Sequence, residues 1–219
     1  VGRDINLKTK QSSIQKSRQD QAEQKRKRIL EAALSVFTAK GYAHASTLDI
    51  ATRAKVSKRE LYALVGNKQD MLRSCITQKA EKFKTPEGLM PPDNLKAFSK
   101  QLTEFGTQLL KEISASNVIS VFRLAIAEAE RTPDIAHILD SIGRAQSREI
   151  LDLLIGQAKT AGLIQGSTDE MTETYTALLW GDLKMSLLLK VASKPKNQEL
   201  AERASKATNM FLRLYVSSS

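Results

Sequence analysis

At 219 residues, with only 5 Pro, 10 Gly and 5% aromatic side chains, the chain is long enough for a large core and poor in the turn residues of all-β folds. Its formal charge of +10 is unevenly placed, residues 1–84 holding 19 Lys or Arg against 8 Asp or Glu and the remainder 15 against 16, so a phosphate-binding end joined to a neutral body is expected. One cysteine excludes an internal disulfide, and the most apolar run, Thr176–Ala192, is broken by Asp182, Lys184 and Lys190, so neither an oxidising compartment nor a membrane span is indicated.

Ala, Leu, Lys, Glu and Gln dominate, which favours an all-α chain. Residues 1–20 lack apolar periodicity and a secretory apolar core, and are read as a basic mobile arm, either inert or laid along phosphates or a minor groove. A cytoplasmic location follows. From Gln21 the pattern is helical, with Ile29, Ala33, Val36 and Phe37 on one face and a basic C-terminal end at Lys40-Gly41.

Three capping boxes then follow in quick succession: Ser46 with Asp49, Ser57 with Glu60, and Asn67 with Asp70. They predict two very short helices and the start of a longer one, with Ala54-Lys55-Val56 as a tight turn between the first two. That is the plan of a helix-turn-helix, whose second helix enters the DNA major groove. Leu48, Ile50, Ala51, Val56, Leu61 and Leu64 are the residues available to close a small three-helix core.

The longer helix is expected to run to about Lys84, with Leu72, Cys75, Ile76 and Phe83 at helical spacing. It ends before the Pro- and Gly-rich connector Thr85–Pro92. The domain plan is therefore an arm over 1–20, a DNA-binding head over 21–66, a connecting helix over 67–84 and a larger helical body over 85–219. Five or six helices are expected in the body: Asp93–Ser114, Asn117–Arg131, one from Thr132-Pro133 interrupted at Gly143 and ending near Gly162, one from a Ser167–Glu170 capping box to about Lys190, and Asn197–Val216. The last two are apolar over much of their circumference. Leu178, Leu179, Leu183, Leu187, Leu188, Ala201, Ala204, Met210, Phe211, Leu214 and Tyr215 would serve both the core and a partner subunit.

The segment from Ile29 to Leu72 resembles the N-terminal domain of TetR family transcriptional regulators. The resemblance rests on Gly41-Tyr42, the Ser46-Thr47 helix start, Ile50-Ala51, Val56-Ser57, Leu61-Tyr62 and Asn67-Lys68. It departs at Arg59-Glu60 and at Ala63-Leu64-Val65, which leaves the operator sequence open. The resemblance implies that Thr47, Ser57, Lys58, Arg59, Tyr62 and Lys68 face double-stranded DNA. Thr47 and Lys68 would bind phosphates at helix starts, and Tyr62 would add a hydroxyl. Lys58 and Arg59 open the recognition helix, where Arg59 reads guanine or holds a phosphate; Glu60 is read as the cap of Ser57. VFRLAIAEAERTPDI is similar to the effector domain of one TetR subgroup. That implies a cavity for a small, largely apolar effector, for which Phe105, Leu109, Phe122, Ile126, Trp180 and Met185 are the candidate lining residues, while the family resemblance implies a homodimer paired through the last two helices.

The expected function is a ligand-released repressor on a palindromic operator, with a constitutive DNA-binding or architectural protein as the alternative. An enzyme is disfavoured: His44 and His137 are the only histidines, and no nucleophile–base set, phosphate loop, metal cluster or cofactor motif is present in the sequence.

Overall fold

A computed structural model describes residues 2–80, 90–131 and 133–216, with backbone alone for 2–16, 79–80 and 142–143. Phe83, Lys84, most of the proposed connector and Thr132 lie outside the described residues.

The described chain is all-α. The head comprises α1 (Gly2–Lys40), α2 (Thr47–Ala54), α3 (Lys58–Val65) and α4 (Lys68–Ala80). The body comprises α5 (Leu95–Ile113), α6 (Ser116–Glu128), α7 (Pro133–Ile138), α8 (Ala145–Thr160), α9 (Thr168–Trp180), α10 (Leu183–Leu188) and α11 (Asn197–Tyr215). A π-helical turn, Leu139–Arg144, joins α7 to α8 without a break in the helix, where Gly143 had suggested an interruption.

Residues 2–20, read from composition as a basic mobile arm without apolar periodicity, are helical and continue the same helix as residues 21–40. No proline occurs before residue 86, and Gln, Lys and Arg are good helix formers, so propensity alone lets the first helix extend beyond its packed part. The packed part carries Ile29, Ala33, Val36 and Phe37, all buried as their spacing predicts.

Two capping boxes close reciprocally. Ser57 Oγ accepts from the Glu60 amide at 3.1 Å while Glu60 Oε2 accepts from the Ser57 amide at 3.0 Å. Asn67 Oδ1 accepts from the Asp70 amide at 3.0 Å, and Asp70 Oδ2 returns the contact to the Asn67 amide at 2.9 Å. Ser46 likewise caps the Asp49 amide at 3.0 Å, but Asp49 Oδ2 takes Lys40 Nζ at 2.8 Å, tying α2 to the end of α1. At Ser167 no side-chain cap forms, and Glu170 Oε1 accepts from Tyr215 Oη at 3.2 Å. The turn between α2 and α3 is made by Lys55 in the left-handed region, φ 55°.

Two cores result. The first gathers α1 to α4 around Ile29, Phe37, Ile50, Leu61, Met71 and Leu72, and it also takes in Val121, Leu124 and Ala125 of α6 and Ile135 and Ile138 of α7. The head is therefore packed onto the body through α6 and α7. Leu48 is not part of this core; it is 59% exposed on the outer side of α2. Cys75 is buried and its thiol donates to the Leu30 carbonyl.

The second core fills the space between α5, α8, α9 and α11. Phe211 packs edge-on against Phe98 and Tyr175, with centroids 6.5 and 5.6 Å apart. Tyr175 Oη donates to the Leu102 carbonyl at 2.8 Å, which brings the phenol against Gly106, where α5 has no side chain to obstruct it. The long penultimate helix expected from Ser167 to Lys190 is divided by Gly181, whose φ of 45° and ψ of −127° end α9 before α10 starts. Leu179, Leu183, Leu187, Ala204 and Phe211 point into this core, whereas Ala201, Met210 and Leu214 remain on the outer face of α11. No helix among the described residues is long and apolar enough to cross a membrane.

Candidate nucleic-acid interface and effector cavity

The two short helices of the head present an outward edge of mixed hydroxyls and cations. Thr47, the first residue of α2, and Tyr62 of α3 meet there, Oγ1 to Oη at 3.3 Å. Lys58 and Arg59 stand one turn before Tyr62 on α3, exposed, and neither side chain makes an ion pair or hydrogen bond among the described residues. Their charges are uncommitted. The sequence-predicted set thus comes together at Thr47, Lys58, Arg59 and Tyr62, with Tyr62 48% exposed.

Two of the six residues have other commitments. The Ser57 hydroxyl is engaged in its cap and donates to Glu60 Oε2 at 3.0 Å, so it holds the helix start in shape. Lys68, expected at a phosphate, is folded back. Its Nζ donates to the Tyr42 carbonyl at 2.7 Å and to those of Ala43 and Ala45 at 3.4 Å, and lies 4.4 Å from the Tyr42 ring centroid. An ammonium gathered by three carbonyls and an aromatic face fixes the α1–α2 turn.

The recognition helix is further held by Glu60. Lys25 Nζ of α1 donates to Glu60 Oε1 at 2.7 Å, while Oε2 completes the cap. The Lys25 contact, followed by the Ser57 amide and hydroxyl, holds the Glu60 carboxyl down at about 2. Asp49 is likewise lowered, first by Lys40 and then by Ser46. Arg26 Nη1 donates to the Leu64 carbonyl at 3.0 Å at the far end of α3. Of the basic run Lys25–Arg28, two side chains therefore brace α3, and Lys27 and Arg28 are left exposed.

A cavity of about 1190 Å³ lies in the body between the two cores. Leu109, Phe122, Trp180 and Met185, four of the six predicted lining residues, border it. The other two do not. Phe105 packs against the second core, and Ile126 is 62% exposed on the outside of α6. Helical periodicity marks both as apolar but cannot tell which neighbour an apolar side chain meets. The sequence reading also missed the polar part of the wall. The π-helical turn and α8 supply Asp140, Arg144 and Arg148, and α10 supplies Lys184. Burial, then Arg144, lowers the Lys184 pKa, with Asp140 partly opposing.

Helix α6 connects the cavity to the head. Val118, Val121 and Phe122 line the cavity from its middle, and Glu128 at its end is buried, with Oε1 accepting from the Ala43 amide at 3.2 Å. Glu128 Oε2 has no hydrogen-bond partner among the described residues. On the side toward α10, Arg123 Nε donates to the Leu188 carbonyl at 2.8 Å. Nothing local in AIAEAE marks Glu128 as a tertiary contact; it reads there as an ordinary surface charge. Both histidines are exposed, and no group of three or more His, Cys, Asp or Glu among the described residues could hold a metal ion.

Comparison with known proteins gives a consistent picture. Residues 29–75 match the family model of bacterial regulatory proteins of the tetR family, and residues 100–217 match that of the AefR-like transcriptional repressor C-terminal domain. The HTH-type transcriptional regulator YvkB of Bacillus subtilis is 23% identical over 176 residues, covering 80% of this chain and 90% of that protein. A TetR transcriptional regulator from Agrobacterium tumefaciens shares the fold with a TM-score of 0.72 at 24% identity, over 88% of this chain and 95% of that one. The flavonoid-responsive regulator FrrA has the same TM-score, 0.72, at 22% identity, over 90% and 100% of the two chains.

Proposed function

Because the chain belongs to the TetR family of transcriptional regulators, we propose that it is a homodimeric repressor that binds a palindromic operator and is released by a small molecule held in the body. The observation that carries this reading is the arrangement of α3. Its start is fixed by a closed capping box and by Lys25, while Lys58 and Arg59 beside Tyr62 are left uncommitted. Rigid backbone with free cations suits a helix that reads a major groove, and Thr47 at the start of α2 suits a phosphate.

One such helix touches few base pairs; a two-fold pair doubles the contacts and places the half-sites about one DNA turn apart. The exposed Met210 and Leu214 of α11 give an apolar strip for that pairing. Release follows if a ligand favours a position of α6 that the DNA-bound spacing does not allow, since Glu128 links α6 to the turn ahead of α2. A response to a small molecule is named for the structural neighbour FrrA, and the cavity beside α6 supports a comparable response here.

The test is selection of duplex DNA from a random pool, followed by anisotropy titration of the selected site. A two-fold-symmetric site is expected, with affinity falling steeply with salt. Lys58→Ala and Arg59→Ala should each weaken binding, and where the lost contact is to a phosphate the log–log salt slope should shrink by about 1. Retention of full affinity by the double variant, or salt-independent binding, overturns the proposal.

A further inference from the structure

Three cations border the cavity, and two of them are already neutralised. Arg144 Nη1 lies 2.9 Å from Asp140 Oδ1, and Arg148 Nη2 lies 3.0 Å from Asp169 Oδ1. Lys184 differs. Among the described residues no carboxylate comes within 4.0 Å of its Nζ, which instead lies 4.7 Å from the centroid of the Phe122 ring and 6.0 Å from that of Trp180. Of the acids on the wall, Asp140 is engaged by Arg144, Glu112 accepts from Gln108 at 3.1 Å, and Glu173 is exposed.

A half-buried ammonium beside aromatic rings and without a counter-ion is costly to cover with an apolar ligand, which would strip its remaining water and return nothing. A ligand with one negative charge removes that cost. A phosphate dianion suits the site less well, because the neighbouring guanidinium forks are occupied by carboxylates. Leu109, Ile113, Val118, Val121 and Leu188 give the wall an apolar stretch, and Asn117, Ser147, Thr172 and Thr176 add uncharged polar groups to it.

We propose that the cavity takes an amphipathic organic monoanion, a carboxylic acid with an apolar body, its carboxylate seated on Lys184 and its body along Phe122 and Trp180. This rests on reading the cavity as the effector site, and it adds one acidic group to the largely apolar effector expected from the sequence.

Trp180 is the only tryptophan, so its emission reports occupancy of the cavity without reference to DNA. Octanoate and 4-phenylbutyrate, each paired with its primary amide, are titrated into the full chain at neutral pH. The acids should bind about tenfold to a hundredfold more tightly than the amides, the range of one charge-assisted contact. Lys184→Met and Lys184→Gln, checked by thermal melting, should bind acid and amide alike. Equal affinity for acid and amide in the unaltered protein, acid preference surviving both substitutions, or no Trp180 response to either acid overturns the inference. Acid binding that leaves the operator complex intact supports the anion seat and refutes only the effector reading.

Discussion

Gly106 lies in the middle of α5, where alanine would ordinarily strengthen a helix by about 1 kcal/mol. Here a Cβ would overlap Tyr175 Oη and meet Leu179 Cδ1 at 3.1 Å and Ala204 Cβ at 3.3 Å. The phenol cannot withdraw freely: it is buried, donates to the Leu102 carbonyl at 2.8 Å and stands edge-on to Phe211. Overpacking of this kind costs about 1–3 kcal/mol, and prising the hydroxyl from its acceptor adds about 1–3 kcal/mol when the oxygen stays buried. Set against the helical gain, these terms span about 1–5 kcal/mol, and Gly106→Ala should lose about 3 kcal/mol, the middle of that range. For a chain of this size that lowers the melting temperature by about 5–10 °C, measured by circular dichroism at fixed protein concentration. Tyr175→Phe removes the offending oxygen, so the double variant should be less destabilised than the two single losses together. A melting temperature for Gly106→Ala at or above that of the unaltered protein would refute the packing argument, as would strict additivity in the cycle.

Glu60 gives a pH signature. Its folded carboxyl is depressed to about 2, so the stability it contributes is present above its ordinary value near 4.5 and is lost as pH falls toward 2. Melting curves of Glu60→Gln should therefore show a flatter acid limb than those of the unaltered protein across that window; superposable limbs would count against the Lys25 and Ser57 contacts as its cause. Lys68→Met should destabilise the head by about 1–2 kcal/mol through loss of the three carbonyl contacts, a discounted figure because the site is partly exposed. Hydrogen exchange at Tyr42–Ala45 is the direct measure, and unchanged protection there would refute the structural role. Glu128→Ala leaves the Ala43 amide without its acceptor and should uncouple cavity occupancy from DNA release while leaving Trp180 titrations intact. Glu128→Gln, which keeps an acceptor oxygen, should largely retain release; equal behaviour of the two variants would sink the link through α6.

What the sequence disclosed about the fold is what local chemistry encodes. Ser57 with Glu60 and Asn67 with Asp70 closed as written because each box involves residues three apart and needs nothing from the rest of the chain. The Ser167 box does not close, and its Glu170 meets a residue the local pattern could not name, Tyr215, 45 residues away. Residues 2–20 show the same limit from the other side. Lack of apolar periodicity says that a segment has nothing to pack, but Gln, Lys and Arg still favour helix in its absence. Leu48 and Ile126 are apolar residues at helical spacing that face outward, which periodicity cannot distinguish from burial when a helix is short or packed on two sides.

The candidate site divides along a similar line. The exposure of Lys58, Arg59 and Tyr62 was legible because an outward face on α3 needs only a helix register and a known packed side. Lys68, Lys184 and Glu128 were not, because the sequence presents each as a solvated charge and only the tertiary fold supplies its surroundings: three carbonyls for Lys68, two aromatic rings for Lys184, the Ala43 amide for Glu128. These placements tie the head and the cavity to one helix. Lys68 and Glu128 both hold the Tyr42–Ala45 turn, one through its carbonyls and the other through the Ala43 amide, and α6 carries both Glu128 and the Phe122 ring that Lys184 lies over. On the proposed effector reading, a ligand seated on Lys184 would touch the helix whose far end contacts the turn before α2. For that reason a change at Phe122 should alter both ligand binding and DNA release, whereas a change at Lys68 should alter the head alone.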